Sequence, residues 1–210
     1  MRIAVIGAGN VGGTLGKGWA NKGHEVTWGV RDPGDEKVQR LVNDTKGKAR
    51  VANVAAAVKD AEVVVLTVPY DAAQEAIRSA GDLRGKILLD CTNPVSPDLS
   101  GLKIGHTTSA AEQVAAAAPQ AKVVKIFNTT GSNNMAKPRY PAGALTMLYC
   151  GDDAEAKKKA ATLATDLGFE PVDAGALAVA RLLEPLAMLW ITLAFKQGMG
   201  VDFGFRLARR

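Results

Sequence analysis

The residues best suited to chemistry in this sequence stand near its start. Gly7-Ala8-Gly9-Asn10-Val11-Gly12 has the spacing G-x-G-x-x-G and follows directly on the apolar run Ile3-Ala4-Val5-Ile6. Glycines so spaced give a tight turn at Gly7, unobstructed backbone approach to a pyrophosphate at Gly9, and close helix-to-strand packing at Gly12. The amides that open the following helix then face the phosphates. In a chain with 22 glycines the motif alone also fits a plain turn between packed elements. Its context favours the chemical reading. Val11 to Asn21 has no proline, places Val11, Leu15, Trp19 and Ala20 at helical spacing, and stops before Gly23. His24 to Val30 then supplies a second strand at the distance a βαβ unit requires.

The tip of that second strand selects the nucleotide. An acidic residue about 20 positions past the loop accepts the ribose hydroxyls of NAD, whereas a cation there suits the additional phosphate of NADP. Here the order is Gly29-Val30-Arg31-Asp32, so the first charge is a guanidinium able to grip a phosphate through two charge-assisted bonds. NADP(H) is therefore the expected cofactor, with Lys37 as a second positive charge. Asp32 is the residue that would favour NAD, and a solvated loop charge is the plain alternative for Arg31.

These residues need a scaffold, and the rest of the sequence describes one. Short β-branched runs alternate with alanine-rich helical stretches, the pattern of a parallel sheet covered on both faces. A third strand is expected near Ala49 to Ala52, a short helix over Asn53 to Lys59, and a buried strand over Glu62 to Val68 that Pro69 ends. Asp71 is placed to cap a helix over Ala72 to Ala80. Lys86 to Asp90 reads as the fifth strand, Ser109 as the cap of a helix through Ala118, and Lys122 to Phe127 as the sixth strand. The expected fold is α/β, a Rossmann-type doubly wound parallel sheet with a small C-terminal α/β extension. Its nucleotide-binding domain covers 1–145 and the extension 146–210.

Ligands of such sheets lie outside the carboxyl ends of the strands. The segments that follow the strands are Val68-Pro69-Tyr70, Cys91-Thr92-Asn93-Pro94-Val95 and Phe127-Asn128-Thr129-Thr130-Gly131. Small and amide-bearing residues there let a flat nicotinamide approach the backbone. Asn93 and Asn128 can bond its carboxamide or a ribose, although turn chemistry explains Asn and Pro equally well.

Composition narrows the class. With 210 residues and 47% hydrophobic content, the chain can bury about 70% of its unfolded surface. The net charge of +5 is modest, and Lys157-Lys158-Lys159 is flanked by Asp152, Asp153, Glu155 and Asp166, which speaks against a nucleic-acid partner. Cys91 and Cys150 are too few for a disulfide framework and read as buried free thiols of a reducing, cytoplasmic compartment. No secretory leader is expected, because the first apolar run belongs to the first strand.

The C-terminal part reads as a strand over Leu145 to Cys150, a helix over Ala154 to Leu167 and a strand over Glu170 to Asp173. Ala176 to Phe195 is almost all apolar, but Arg181 and Glu184 interrupt it and Pro185 removes a helical hydrogen bond. Its uncharged piece, Pro185 to Phe195, is 11 residues long, short of the roughly 20 a membrane span needs. A helix apolar on most faces must be buried on most faces, either within the fold or against a second copy. A homodimer without membrane contact is the expectation. Met188, Trp190 and Phe195 read as packing, with Met199 set apart from them.

The glycine loop, Gly29-Val30-Arg31, Thr67-Val68-Pro69, Cys150-Gly151-Asp152-Asp153, Pro171 to Gly175, Arg181 to Glu184 and Gly198-Met199-Gly200 together resemble the F420H2:NADP oxidoreductases, the NADPH-dependent deazaflavin reductases. The resemblance spans nearly the whole chain. The sequence also looks like the cytosolic domain of metalloreductases that pass electrons from NADPH to a flavin.

The resemblance implies hydride transfer between the nicotinamide and a deazaflavin or flavin acceptor, the protein aligning two rings and supplying no acid or base. By position it implies Ala8 to Val11 at the pyrophosphate and Val30 and Arg31 at the phosphorylated ribose. Val68, Pro69, Asn93, Pro94 and Thr129 fall toward the nicotinamide, and the Asn128 to Asn133 loop and Met199 toward the second ring, Met199 from either copy of a dimer. Val30 stands where the family commonly has a serine, and Thr130-Gly131-Ser132-Asn133-Asn134 is more polar than the corresponding loop of deazaflavin binders.

Two other functions fit the same residues. An imine or hydroxyacid reductase would need a donor, for which Tyr70 and Asp71 are the candidates; an NADPH-binding redox sensor would need no acceptor at all.

Overall fold

The computed structural model describes residues 1–208 and 210. The first half runs β1 (Arg2–Ile6), α1 (Asn10–Asn21), β2 (Glu25–Val30), α2 (Glu36–Asp44), β3 (Ala49–Asn53), α3 (Val54–Lys59), β4 (Val63–Leu66), α4 (Ala73–Ala80), β5 (Ile87–Asp90), α5 (Ala110–Ala117) and β6 (Lys122–Lys125). There follow α6 (Ser132–Ala136), a hairpin of β7 (Arg139–Tyr140) and β8 (Gly143–Ala144), β9 (Thr146–Gly151), α7 (Ala154–Leu167), β10 (Glu170–Asp173) and α8 (Ala180–Ile191). A π-helical turn, Thr192–Lys196, prolongs α8.

Eight strands form one sheet in the order β10-β9-β6-β5-β4-β1-β2-β3. It is a doubly wound α/β sheet whose strand order turns back between β1 and β4, where such sheets hold ligands. Six of its seven pairings are parallel and only β6 to β9 is antiparallel. The sheet therefore continues across the 145/146 boundary, with β9 and β10 added beyond β6.

Alternation along each strand sends side chains to opposite faces. From β1, Ile3 and Val5 join Leu15, Trp19, Trp28, Phe127 and Leu163 on one face. Ala4 and Ile6 join Val58, Ile77, Val114 and Leu183 on the other. Both faces are covered, so β4 reads as the unbroken apolar run Val63-Val64-Val65-Leu66, every residue buried. The Trp19 indole N–H donates to the Leu163 carbonyl at 3.0 Å, and its ring meets Phe127 edge-on at 5.7 Å. By these contacts α7 packs on the same face as α1.

Local chemistry sets the element ends. Asn53 Oδ1 accepts the Ala56 amide and caps α3, and Ser109 Oγ accepts the Glu112 amide while its hydroxyl donates to the Glu112 carboxylate, a reciprocal cap of α5. Asp71 departs from expectation. A short 3-10 turn, Tyr70–Ala72, leads into α4, no side chain caps that helix, and the Asp71 carboxylate takes Lys103 Nζ at 2.5 and 2.7 Å. The nearby cation outcompeted the helix amides. Asp35 starts α2 by accepting the amides of Lys37 and Val38.

Leu177–Lys196 also differs from expectation, for it forms a helical run of 20 residues, long and apolar enough by composition to cross a membrane. Its charges are used inside the fold: Arg181 pairs with Glu112 at 2.6 Å, and Glu184 is fully buried among polar partners.

Candidate functional site

Each glycine of the opening loop has a different physical task. Gly7 has φ +103°, which side chains rarely adopt, and its amide donates to the Gly29 carbonyl at 3.0 Å, joining the loop to the tip of β2. A Cβ on Gly12 would lie 2.1 Å from the Gly7 carbonyl oxygen and 2.4 Å from Thr67 Oγ1. A Cβ on Gly9 would meet nothing within 4 Å. Gly7 and Gly12 are thus required by the fold, whereas Gly9 borders open space where a nucleotide phosphate can approach. Gly9 contributes no side-chain bond as N-cap of α1, and the first turn holds no acidic residue. The positive end of α1 is therefore left for an external anion. These features fit a dinucleotide.

Two residues outside the motif hold this loop. Thr67 Oγ1 donates toward the carbonyls of Ile6 (2.9 Å) and Gly7 (3.2 Å), and the Trp28 indole N–H donates to the Gly12 carbonyl at 3.0 Å. Thr67 stands out in the sequence through the Thr67-Val68-Pro69 segment and Trp28 only as a strand residue; a hydroxyl or indole facing a glycine loop is the signal that marks them.

At the end of β2 the acidic residues are occupied. Asp32 Oδ1 accepts the Gly34 amide at 2.8 Å and Asp35 caps α2. Arg31 and Lys37 are exposed, and among the described residues neither side chain makes a hydrogen bond or ion pair. Val30 stays half-buried against the core beside them. The register pairs Ile6 with Gly29, so Arg31 emerges next to the loop formed by Gly7, Ala8 and Gly9.

The ends of β4, β5 and β6 reach the same rim. Leu66 pairs with Ile6 and with Asp90, and Asp90 with Lys125, which brings Val68-Pro69, Thr92-Asn93-Pro94 and Asn128-Thr129 to one edge of the sheet. Val68 Cγ1 lies 3.3 Å from where a Gly7 Cβ would stand. Asn93 Nδ2 donates to the Asn128 carbonyl at 2.8 Å. Asn128 Nδ2 donates back to Asn93 Oδ1 at 3.0 Å and to the Leu183 carbonyl at 3.1 Å. Asn128 Oδ1 is buried with no partner among the described residues. Both thiols are buried, and burial pushes both pKa values up, that of Cys150 to about 12, so neither is an available thiolate. Tyr70 donates to Gln113 Oε1 at 2.5 Å, and burial, then the charges of Glu184 and Asp71, raises its pKa.

The loop after Asn128 is tied to the C-terminal tail. Asn133 Nδ2 donates to the Val201 carbonyl and to Asp202, Asn134 Nδ2 to the carbonyls of Val201 and Phe203 and to Thr130 Oγ1, and Trp190 Nε1 to the Phe203 carbonyl. The asparagines that set this loop apart thus bind the protein's own tail. Met199 is exposed on the turn beyond the π-helical segment.

Sequence reasoning missed one cluster. Lys125, Asp90 and Glu184 are fully buried, and Lys125 Nζ lies 2.8 Å from Asp90 Oδ2 and 2.9 Å from Glu184 Oε1. The signal was present as a lone charge inside each of three apolar runs, which globular cores admit only when charges are paired.

Residues 2–94 match the family model described as NADP oxidoreductase, coenzyme F420-dependent. The chain is 30% identical to the F420-dependent NADP reductase of Methanothermobacter marburgensis, the match covering 93% of each. It is 32% identical to the rat metalloreductase STEAP3 over 90% of this chain, yet it spans only 37% of that relative's length. Among solved structures, a candidate F420-dependent NADP reductase from Arthrobacter sp. FB24 superposes over the whole of both chains with a TM-score of 0.90 and 35% identity. Glycine loop, doubly wound sheet and full-length likeness together show that the chain belongs to the coenzyme F420-dependent NADP oxidoreductases, a family of NADP-dependent redox enzymes.

Proposed function

We propose that this chain passes a hydride between NADP(H) and a second flat ring, a deazaflavin or flavin, stacked on the nicotinamide. When bound, the nicotinamide gives or receives the hydride at its C4 atom. The chain's own residues bind and align. Ala8, Gly9, Asn10 and Val11 take the pyrophosphate on open backbone, and Arg31 with Lys37 grips the 2′-phosphate beside Val30. Val68, Pro69, Asn93, Pro94 and Thr129 line the nicotinamide side. Asn128 Oδ1 offers the carboxamide an acceptor whose isolation otherwise costs about 1–3 kcal/mol.

The observation that carries the proposed chemistry is that titratable groups around the rim are engaged by the protein itself. Asp90, Lys125 and Glu184 bind one another, Asp71 binds Lys103, and Tyr70 binds Gln113. Ring-to-ring hydride transfer asks for alignment, which this rim supplies. Reduction of a carbonyl or imine asks for a proton donor, and both candidates, Tyr70 and Asp71, already have partners. Stopped-flow oxidation of bound NADPH tests the proposal: rapid turnover with a deazaflavin or flavin supports it. Turnover only with a ketone or imine, or tight binding with no acceptor, overturns it.

We further assign the exposed apolar side of α8 and its continuation to a second copy of this chain. Leu182, Leu189, Phe195 and Met199 are 68%, 49%, 57% and 57% exposed, and an uncovered row of this kind marks an interaction surface. Sedimentation should show a dimer that Leu189→Glu dissociates; a wild-type monomer contradicts this assignment.

A further inference from the structure

The buried charges below the ends of β5 and β6 have a geometry that charge neutralisation alone does not explain. Lys125 Nζ donates to Asp90 Oδ2 at 2.8 Å and to the Thr92 carbonyl at 2.5 Å, and forms an ion pair with Glu184 Oε1 at 2.9 Å. Asp90 Oδ1 accepts the Thr92 amide at 2.9 Å and the Thr92 hydroxyl at 2.8 Å. Glu184, reaching in from α8, also accepts the amides of Ala110 and Ala111 at the positive end of α5. Burial opposes the charge on Lys125, but Asp90 and then Glu184 outweigh it and hold its pKa above the usual lysine value.

Apolar residues of similar volume commonly replace such clusters without loss of stability, so stability is a weak reason for this one. Its specific effect is on Thr92, whose amide, hydroxyl and carbonyl are all fixed by it. The next residue is Asn93, which exchanges side-chain bonds with Asn128. Asn128 in turn donates to the carbonyl of Leu183, the neighbour of Glu184 on α8. Two consecutive α8 residues thus reach this network, Leu183 directly at Asn128 and Glu184 through Lys125.

We infer that Asp90, Lys125 and Glu184 form a positioning device for the nicotinamide half of the nucleotide: Lys125 clamps Thr92, Thr92 orients the Asn93–Asn128 pair, and α8 is the outer anchor. The inference rests on the nucleotide site proposed above. Since α8 also carries the exposed apolar row, whatever covers that row bears on the same anchor.

The test compares two probes on the full chain. One is 2′,5′-ADP, which carries only the adenosine half, and the other is NADPH, whose own emission reports the nicotinamide. In Asp90→Asn/Lys125→Met, the 2′,5′-ADP affinity should stay within about twofold while NADPH weakens about three- to tenfold, the size of one hydrogen bond. Time-resolved anisotropy of bound NADPH should gain a fast component absent from the wild type. Equal shifts of both probes, or an unchanged anisotropy, overturn the inference. Failure of wild-type protein to bind 2′,5′-ADP instead overturns the nucleotide site, and the inference falls with it. Should the double variant fail to fold, Glu184→Gln decides, because it keeps an acceptor for α5 and removes one charge. A folded Glu184→Gln with nicotinamide emission as rigid as wild type contradicts the inference.

Discussion

The start of α1 and the rim beside α8 place polar groups on one sheet edge in opposite conditions. At α1 the first helix amides face open space before Gly9, and Arg31 and Lys37 are exposed with no side-chain partner among the described residues. At the rim of β5 and β6 the charges are buried and bonded to one another, and the amide side chains are largely paired as well. Unpartnered groups at a surface are suited to capture a ligand; interlocked groups below it are suited to hold a shape. The difference supports the proposed division, with nucleotide capture at the first region and alignment at the second.

The largest way to break that contrast is Lys125→Met alone. It leaves two buried carboxylates without their cation and should cost about 3–5 kcal/mol of unfolding free energy in urea. A loss under 1 kcal/mol would mean that the cluster is hydrated and does not hold the rim. Next are two glycines of one motif. Gly12→Ala drives a Cβ against backbone at 2.1 Å and should destabilise by about 1–3 kcal/mol or more. Gly9→Val should leave the melting temperature near wild type yet remove binding of both NADP and NAD. If Gly9→Val melts as early as Gly12→Ala, the open space at Gly9 has another role.

Arg31→Ala sharpens the comparison from the capture side. Stability should be unchanged, because the side chain is exposed and makes no hydrogen bond or ion pair among the described residues, while NADPH binding weakens by about 2 kcal/mol and NADH binding stays the same. Equal losses for both nucleotides would remove Arg31 from the 2′-phosphate. The smallest effect is expected at Glu112. The Arg181 hydrogen bond, joined by Ser109 and opposed by burial, holds its carboxyl below the usual value. Stability from this pair is complete above the unfolded pKa and is lost as pH falls through the folded one. Glu112→Gln should therefore flatten the acid limb of the stability curve below about pH 4.5, and an unaltered limb would show that the pair contributes nothing.

The glycine loop of the proposed capture region was legible in the sequence because backbone demands fix its residue types. Only glycine serves at Gly7 and Gly12, and the first charge beyond β2 is visible by counting. The doubly wound parallel sheet followed from alternation of apolar runs with helical stretches, although the antiparallel β6 to β9 pairing did not, since it depends on which edge β9 meets. Asp71 shows the limit of local rules: a good capping type in the right place was drawn away by Lys103, 32 positions distant. The alignment region was mostly hidden for the same reason. Lys125, Asp90 and Glu184 come from three separate elements, and only tertiary packing makes them one group. Glu184 reads along the chain as a break in an apolar helix, whereas in space it pairs with a buried lysine.

Calorimetric titration of the wild-type chain with NADP and NAD, repeated with Arg31→Ala, tests the central claim most directly. The account predicts one site per chain, NADP bound more tightly than NAD, and a preference that disappears in the variant. Absence of heat with either nucleotide, or a preference for NADP that survives loss of Arg31, would contradict it.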